Sequence, residues 1–130
     1  MRKELEQELA NRWPRWFDME GDPRETAMYR GFEHGDGWFD LVWRLCEQME
    51  EVVDEGERPF KILQVKEKFG GLRVYTNSLN EAIFTLVDTA ELESLHICEV
   101  CGQSGTRRDG RRIQTRCDEH TRDCSIPDAP

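Results

Sequence analysis

A chain of 130 residues and 15.3 kDa has the size of one domain, which leaves no room in it for a second large one. Charged residues make up 35% and hydrophobic residues 37%, with a mean hydropathy of -0.78, so the core is modest and an additional staple is expected. The net charge of -9 and pI near 4.9 argue against a generic basic protein that coats nucleic acid.

The opening stretch MRKELEQELANRW is interrupted by charge throughout. It reads as neither a secretory signal nor a membrane span, and a soluble cytoplasmic protein is expected. Residues 2–13 predict a short amphipathic helix with Leu5, Leu9 and Ala10 inward, ended by Pro14 and the cluster Trp13, Trp16, Phe17. Residues 18–35, with Gly21, Pro23, Gly31 and Gly35, read as loop; His34 lies there without an evident partner. Eight of the twelve aromatics fall between residues 13 and 43, which predicts a core built there; a partner-binding patch is the alternative.

Residues 37–55 predict the main helix, with Asp36 as N-cap and Gly56 as stop. Trp38, Leu41, Val42, Leu45, Met49, Val52 and Val53 form its apolar stripe, with Cys46 beside it as a small buried residue. Its other face carries Glu47, Glu50, Glu51, Asp54 and Glu55. That face is solvated, or it is a phosphate-like comb aimed at a basic groove of a partner.

Residues 60–76 predict a β-hairpin turning at Gly70-Gly71, with Phe69 opposite Leu72 and Lys68 opposite Arg73. One face then holds Leu63, Val65, Phe69, Leu72 and Val74, with Glu67 among them. A Glu there needs a partner, or the register slips. The other face gathers Lys66, Lys68, Arg73 and Tyr75, a cationic patch open to an acidic partner. Ser78 with Glu81 predicts a capping box for a helix in which Leu79, Ile83, Leu86 and Ala90 point inward, ending near Leu95.

Cys98-Glu-Val-Cys101, followed by Gly102, and Cys117-Asp-Glu-His120 form CxxC, fifteen residues, CxxH. Zinc favours four soft or borderline ligands, and two closely spaced pairs joined by a loop supply a closed Cys3His site for one structural Zn2+. Asp109-Gly110 predicts a tight hairpin in that loop, and Cys117 and His120 are expected at a helix start, giving a treble-clef-like finger. Four good ligands leave no position for a catalytic water, and the deaminase signature is absent. His96 and Cys124 flank the site with poorer spacing. Cys124 reads as a tail thiol. Arg107, Arg108, Arg111, Arg112 and Arg116 make the hairpin basic, so phosphate contact is an alternative function, although the module has no aromatic residue on which to stack a base.

The block Gln64-Val-Lys-Glu-Lys-Phe-Gly-Gly-Leu-Arg-Val-Tyr75, then Cys98-x-x-Cys-Gly and Cys117-x-x-His120, with the upstream Gly37-Trp38, resembles a set of short uncharacterised phage and prophage proteins over roughly residues 36–120. The resemblance implies a zinc-binding accessory protein in a bacterial cytosol and no established activity. By analogy of context, such a protein acts on host machinery as an inhibitor or adaptor, including nucleic-acid-guided defence.

The expected architecture is α+β. A helix–β-hairpin–helix core spans residues 1–95, a zinc module packed on it spans 96–122, and a flexible tail spans 123–130. The expected function is macromolecular contact with a host protein or protein–nucleic-acid complex, without catalysis or membrane association. The binding surfaces would be Glu47, Glu50, Glu51 and Asp54, or Lys66, Lys68 and Arg73. In the alternative, Arg107, Arg108, Arg111 and Arg112 grip nucleic acid directly; a zinc hydrolase, which would need an open position on the metal, is the third and least favoured reading.

Overall fold

Acidic residues at the start and a basic one at the end suit the dipole of the first helix, α1 (Lys3–Arg12), whose Leu9 is fully buried. The computed structural model describes residues 1–54 and 59–121. Among these, three α-helices and two small sheets make a mixed α+β fold. The predicted stop at Gly56, the acid Glu55, the thiol Cys124 and the tail lie outside the described residues. No helix among the described residues is long and apolar enough to cross a membrane.

The aromatic cluster is core. Trp13, Trp16, Phe17, Phe32 and Trp38 are all buried, and Trp13 stacks on Trp16 with ring centroids 5.9 Å apart. Trp43 meets Trp13 edge-on at 4.8 Å, and Phe60 meets Trp16 at 4.9 Å. Such pairs add to the area they bury. Tyr29 is the exception, nearly half exposed.

The segment expected to be wholly loop contains a short strand, β1 (Phe32–Glu33), which runs parallel to β2 (Ile62–Lys68). Two residues joined to a distant strand leave no local periodicity to read. The chain start fixes β1 in place. The Glu6 carboxylate accepts from Phe32 N–H at 2.6 Å, and the Met1 ammonium donates to the Phe32 and His34 carbonyls. Gly31, at φ 77°, lets the Glu6 carboxylate approach where a Cβ would stand 2.5 Å from its oxygen.

Helix α2 (Phe39–Glu50) follows a 3-10 turn over Asp36–Trp38 and buries Leu41, Val42, Leu45, Cys46 and Met49. It is shorter than expected at both ends. Asp36 does not cap it: its carboxylate accepts from Arg2 N–H at 2.8 Å and pairs with the Arg2 guanidinium.

Strand β2 pairs antiparallel with β3 (Gly71–Thr76), but the turn is Phe69-Gly70 rather than Gly70-Gly71. Lys68 faces Gly71, Glu67 faces Leu72, Lys66 faces Arg73 and Val65 faces Val74. The partners shift by two positions, so Val65, Glu67, Leu72 and Val74 keep their predicted face, whereas Phe69, expected on the core, falls in the turn and is exposed, and Leu63 gives its core place to Ile62. Glu67 finds its partner at the turn, accepting from Gly70 N–H at 2.8 Å. An irregularity at Leu63 puts both Ile62 and Val65 on the core. The Leu63 carbonyl leaves the ladder and accepts from Ala27 N–H at 2.8 Å and Thr26 Oγ1 at 3.1 Å.

Helix α3 (Glu81–Ser94) is capped by Asn80, whose side chain accepts from Ala82 N–H at 2.8 Å. Ser78 instead accepts from Asn80 N–H, one turn earlier, so the predicted capping box does not form. Leu79 then falls before the helix and is exposed, while Ile83 and Ala90 are buried as expected. Ser94 is buried at the far end; its hydroxyl accepts from Leu72 N–H at 2.9 Å and donates to the Glu91 carbonyl. The second sheet joins β4 (Thr106–Arg108) to β5 (Gln114–Arg116).

Candidate metal centre

Cys98, Cys101, Cys117 and His120 converge from two segments, their ligand atoms all within 4.8 Å of one another. The first pair sits on a turn in which Gly102 N–H bonds back to the Cys98 carbonyl at 2.9 Å and Gly102 takes φ 82°. The second pair brackets a 3-10 turn over Asp118–His120 that begins at Cys117. Cys101 Sγ lies 3.7 Å from Cys117 Sγ, and His120 Nδ1 lies 3.1 Å from Cys117 Sγ and 3.6 Å from Cys98 Sγ. A zinc ion with Zn–S near 2.3 Å sets tetrahedral S···S edges of about 3.8 Å. Three sulfurs and one imidazole at these separations fit one four-coordinate metal ion.

Burial pushes the Cys98 thiol up, but main-chain N–H groups of Cys117, Cys101 and Val100 turned toward its sulfur bring it down to about 6. Those donors favour thiolate, the form that binds metal. Cys46, by contrast, is buried on the α2 stripe, where desolvation holds its thiol strongly protonated. His96 is exposed and lies outside the cluster.

The centre is bonded into the core. Gly37 N–H donates to the Glu99 carbonyl at 2.7 Å, Gly35 N–H to the Glu99 carboxylate at 2.9 Å, and Trp38 Nε1 to the Ile97 carbonyl at 2.8 Å. Glu99 is 8% exposed, and burial raises its pKa against the pull of the Gly35 N–H. On the other side, buried Thr115 donates through Oγ1 to the Gly70 carbonyl at 2.6 Å. Neither Glu99 nor the docking role of Gly35 stands out in the sequence, because a Glu between two candidate ligands looks like spacer. The signal was the Gly-Asp-Gly run upstream, with its two side-chain-free docking points.

The loop between β4 and β5 spans residues 109–113, since Arg108 pairs with Gln114. Asp109-Gly110 therefore does not make the expected two-residue turn. Arg108 is engaged by Asp118 at 2.9 Å, Arg112 lies 4.0 Å from Glu67, and Arg111 and Arg116 also have partners. Arg107 is exposed.

The two partner surfaces are only partly open. Glu50 accepts from Trp13 Nε1 and pairs with Arg12, whereas Glu47 and Glu51 are exposed; Asp54, also exposed, has a partner of its own. Arg73 reaches Glu91 on α3 at 3.6 Å, Lys66 stands opposite it across the ladder, and Lys68 is exposed beside the turn. Comparison with protein-family models, curated proteins and solved structures found no match, so the functional reading rests on the chemistry of these residues.

Proposed function

We propose that this is a zinc-stabilised binding protein that acts by contact with another macromolecule and not by catalysis. The observation that supports this reading is the closed donor set: Cys98, Cys101, Cys117 and His120 supply all four positions of a tetrahedral zinc site. Those ligands are held against the Gly35–Trp38 segment and the β2–β3 turn, as a structural ion requires. The knuckle, the β4–β5 hairpin and the ligand pair opening a helical turn make the module treble-clef-like. In the setting implied by its phage-like motifs, the partner is a bacterial host protein or protein–nucleic-acid complex, and the outcome is inhibition or adaptation. A phosphate-mimicking role for α2 would have to work without Glu50, which the core already holds.

Native mass spectrometry of the protein purified from bacterial lysate tests the reading. One zinc per chain with a discrete co-purifying partner is expected. A metal-free chain, or substrate turnover that needs an exchangeable water on the zinc, would overturn it.

A further inference from the structure

The sequence separates Phe69 from the arginine hairpin, and the fold sets them side by side. Phe69 and Gly70 make the β2–β3 turn with φ of 53° and 84°. Gly suits that conformation and Phe does not, because its Cβ crowds the backbone. The Phe69 ring is also 58% exposed, so burial in the core does not explain why an aromatic stands there. An exposed aromatic held in a disfavoured backbone state points to function.

Its surroundings say which function. The Lys68 ammonium lies 5.8 Å from the Phe69 ring centre. Arg107, on β4, packs its stem beside Gly70, where an added Cβ would meet Arg107 Cγ at 3.4 Å. The Thr115 hydroxyl, bonded to the Gly70 carbonyl at 2.6 Å, fixes the two hairpins in register. Neither Lys68 nor Arg107 enters an ion pair among the described residues.

We propose that this tip binds single-stranded nucleic acid, with Phe69 as the platform for one base and Lys68 and Arg107 meeting the flanking phosphates. A base offers a flat face and carries phosphates on both sides, which suits an exposed ring with Lys68 over it and Arg107 beside the same turn. Lysine is depleted at the centre of protein–protein contacts, and Lys68 stands against the ring here. The inference rests on the metal reading above, since zinc would hold the β4–β5 hairpin beside the turn.

The test is fluorescence anisotropy of the full metal-loaded chain with a labelled oligo-dT of about a dozen nucleotides, within the usual range of such sites. Binding at low salt is expected, weakening about sevenfold for a fourfold rise in salt if two phosphates are met. Phe69→Asn should cost about tenfold in affinity, the loss of one stacked base, while the melting temperature stays level or rises because Asn tolerates the turn. No binding at low salt, or equal binding by wild type and Phe69→Asn, would overturn the proposal. So would polyglutamate displacing the oligonucleotide equally from both, which would make the tip a site for acidic protein. Zinc present without oligonucleotide binding removes this inference and leaves the metal reading standing. Oligonucleotide bound by a metal-free chain does the reverse.

Discussion

Gly37 lies so close to Cys98 that a Cβ on it would stand 2.1 Å from the Cys98 carbonyl oxygen and 2.6 Å from Gly102 N. The neighbours are backbone atoms of the CxxC turn, which cannot swing aside as a side-chain end can. Gly37→Ala should therefore displace the turn, at a cost of about 1–3 kcal/mol or more. Because the displaced atoms carry two metal ligands, the same variant should bind zinc more weakly in a chelator competition. Unchanged zinc affinity in a stably folded Gly37→Ala protein would show that the contact does not reach the metal.

Cys101 is exposed, so its replacement removes a ligand without opening a cavity. Cys101→Ser should lose stoichiometric zinc by elemental analysis and lower the melting temperature. Structural zinc contributes roughly 10–16 kcal/mol in isolated finger peptides, and even part of that would matter to so polar a chain. Treating the wild type with a chelator should reproduce the shift. A Cys101→Ser protein that keeps both its metal and its melting temperature would show that the four side chains do not act as a set.

What the sequence made legible follows from how local each signal is. Helices α1, α2 and α3 were readable because Leu9, the Leu41–Met49 stripe and the Ile83–Ala90 spacing repeat within a few residues. The Cys98, Cys101, Cys117 and His120 cluster was readable because coordination chemistry restricts both the residue types and the spacing that can hold a metal. The turn was misplaced because Gly70-Gly71 is the pair that a left-handed turn prefers, and nothing local announces that Phe69 will accept that conformation. Strand β1 and the seating of Gly35 and Gly37 on Glu99 depend on partners more than thirty residues away. The arginines looked available as a row, but Asp118 and Glu67 reach them only in three dimensions.

The acidic face of α2 separates into structural and open members. Glu50 accepts from Trp13 Nε1 and pairs with Arg12, whereas Glu47 and Glu51 are exposed. Glu50→Gln should lower stability by about 1 kcal/mol, the usual scale for weakening a partly exposed charge-assisted bond. Glu47→Gln and Glu51→Gln should stay within about 0.5 kcal/mol of wild type. Urea denaturation of the three variants checks this. If the comb recognises a partner, the Glu47 and Glu51 changes should weaken capture from lysate without altering stability. Capture indifferent to both would remove α2 from the binding surface.

His34 is 6% exposed, and burial lowers its pKa to about 4; the Met1 ammonium adds to the fall, while the hydrogen bond to the Gly35 carbonyl and the charge of Asp36 oppose it. Nδ1 lies 2.8 Å from that carbonyl and so holds the proton, and Nε2 faces no partner. The folded pKa is thus depressed below the unfolded value of about 6.5. As pH falls, the unfolded chain takes up the proton first. The stability that rests on a neutral His34 is therefore complete above about pH 6.5 and declines by about 1.4 kcal/mol per pH unit until the folded pKa is reached. Between pH 6.5 and 5 that amounts to about 2 kcal/mol. Loss of a bound metal in acid would weaken the fold as well, so the measurement is a difference between wild type and His34→Asn, whose amide can still donate to the Gly35 carbonyl. Any metal-linked part is common to both proteins, and only the wild type loses the His34 part. The stability difference should shift by about 2 kcal/mol in favour of the variant on going from pH 6.5 to 5, and a difference that stays constant across that range would place the His34 proton uptake elsewhere.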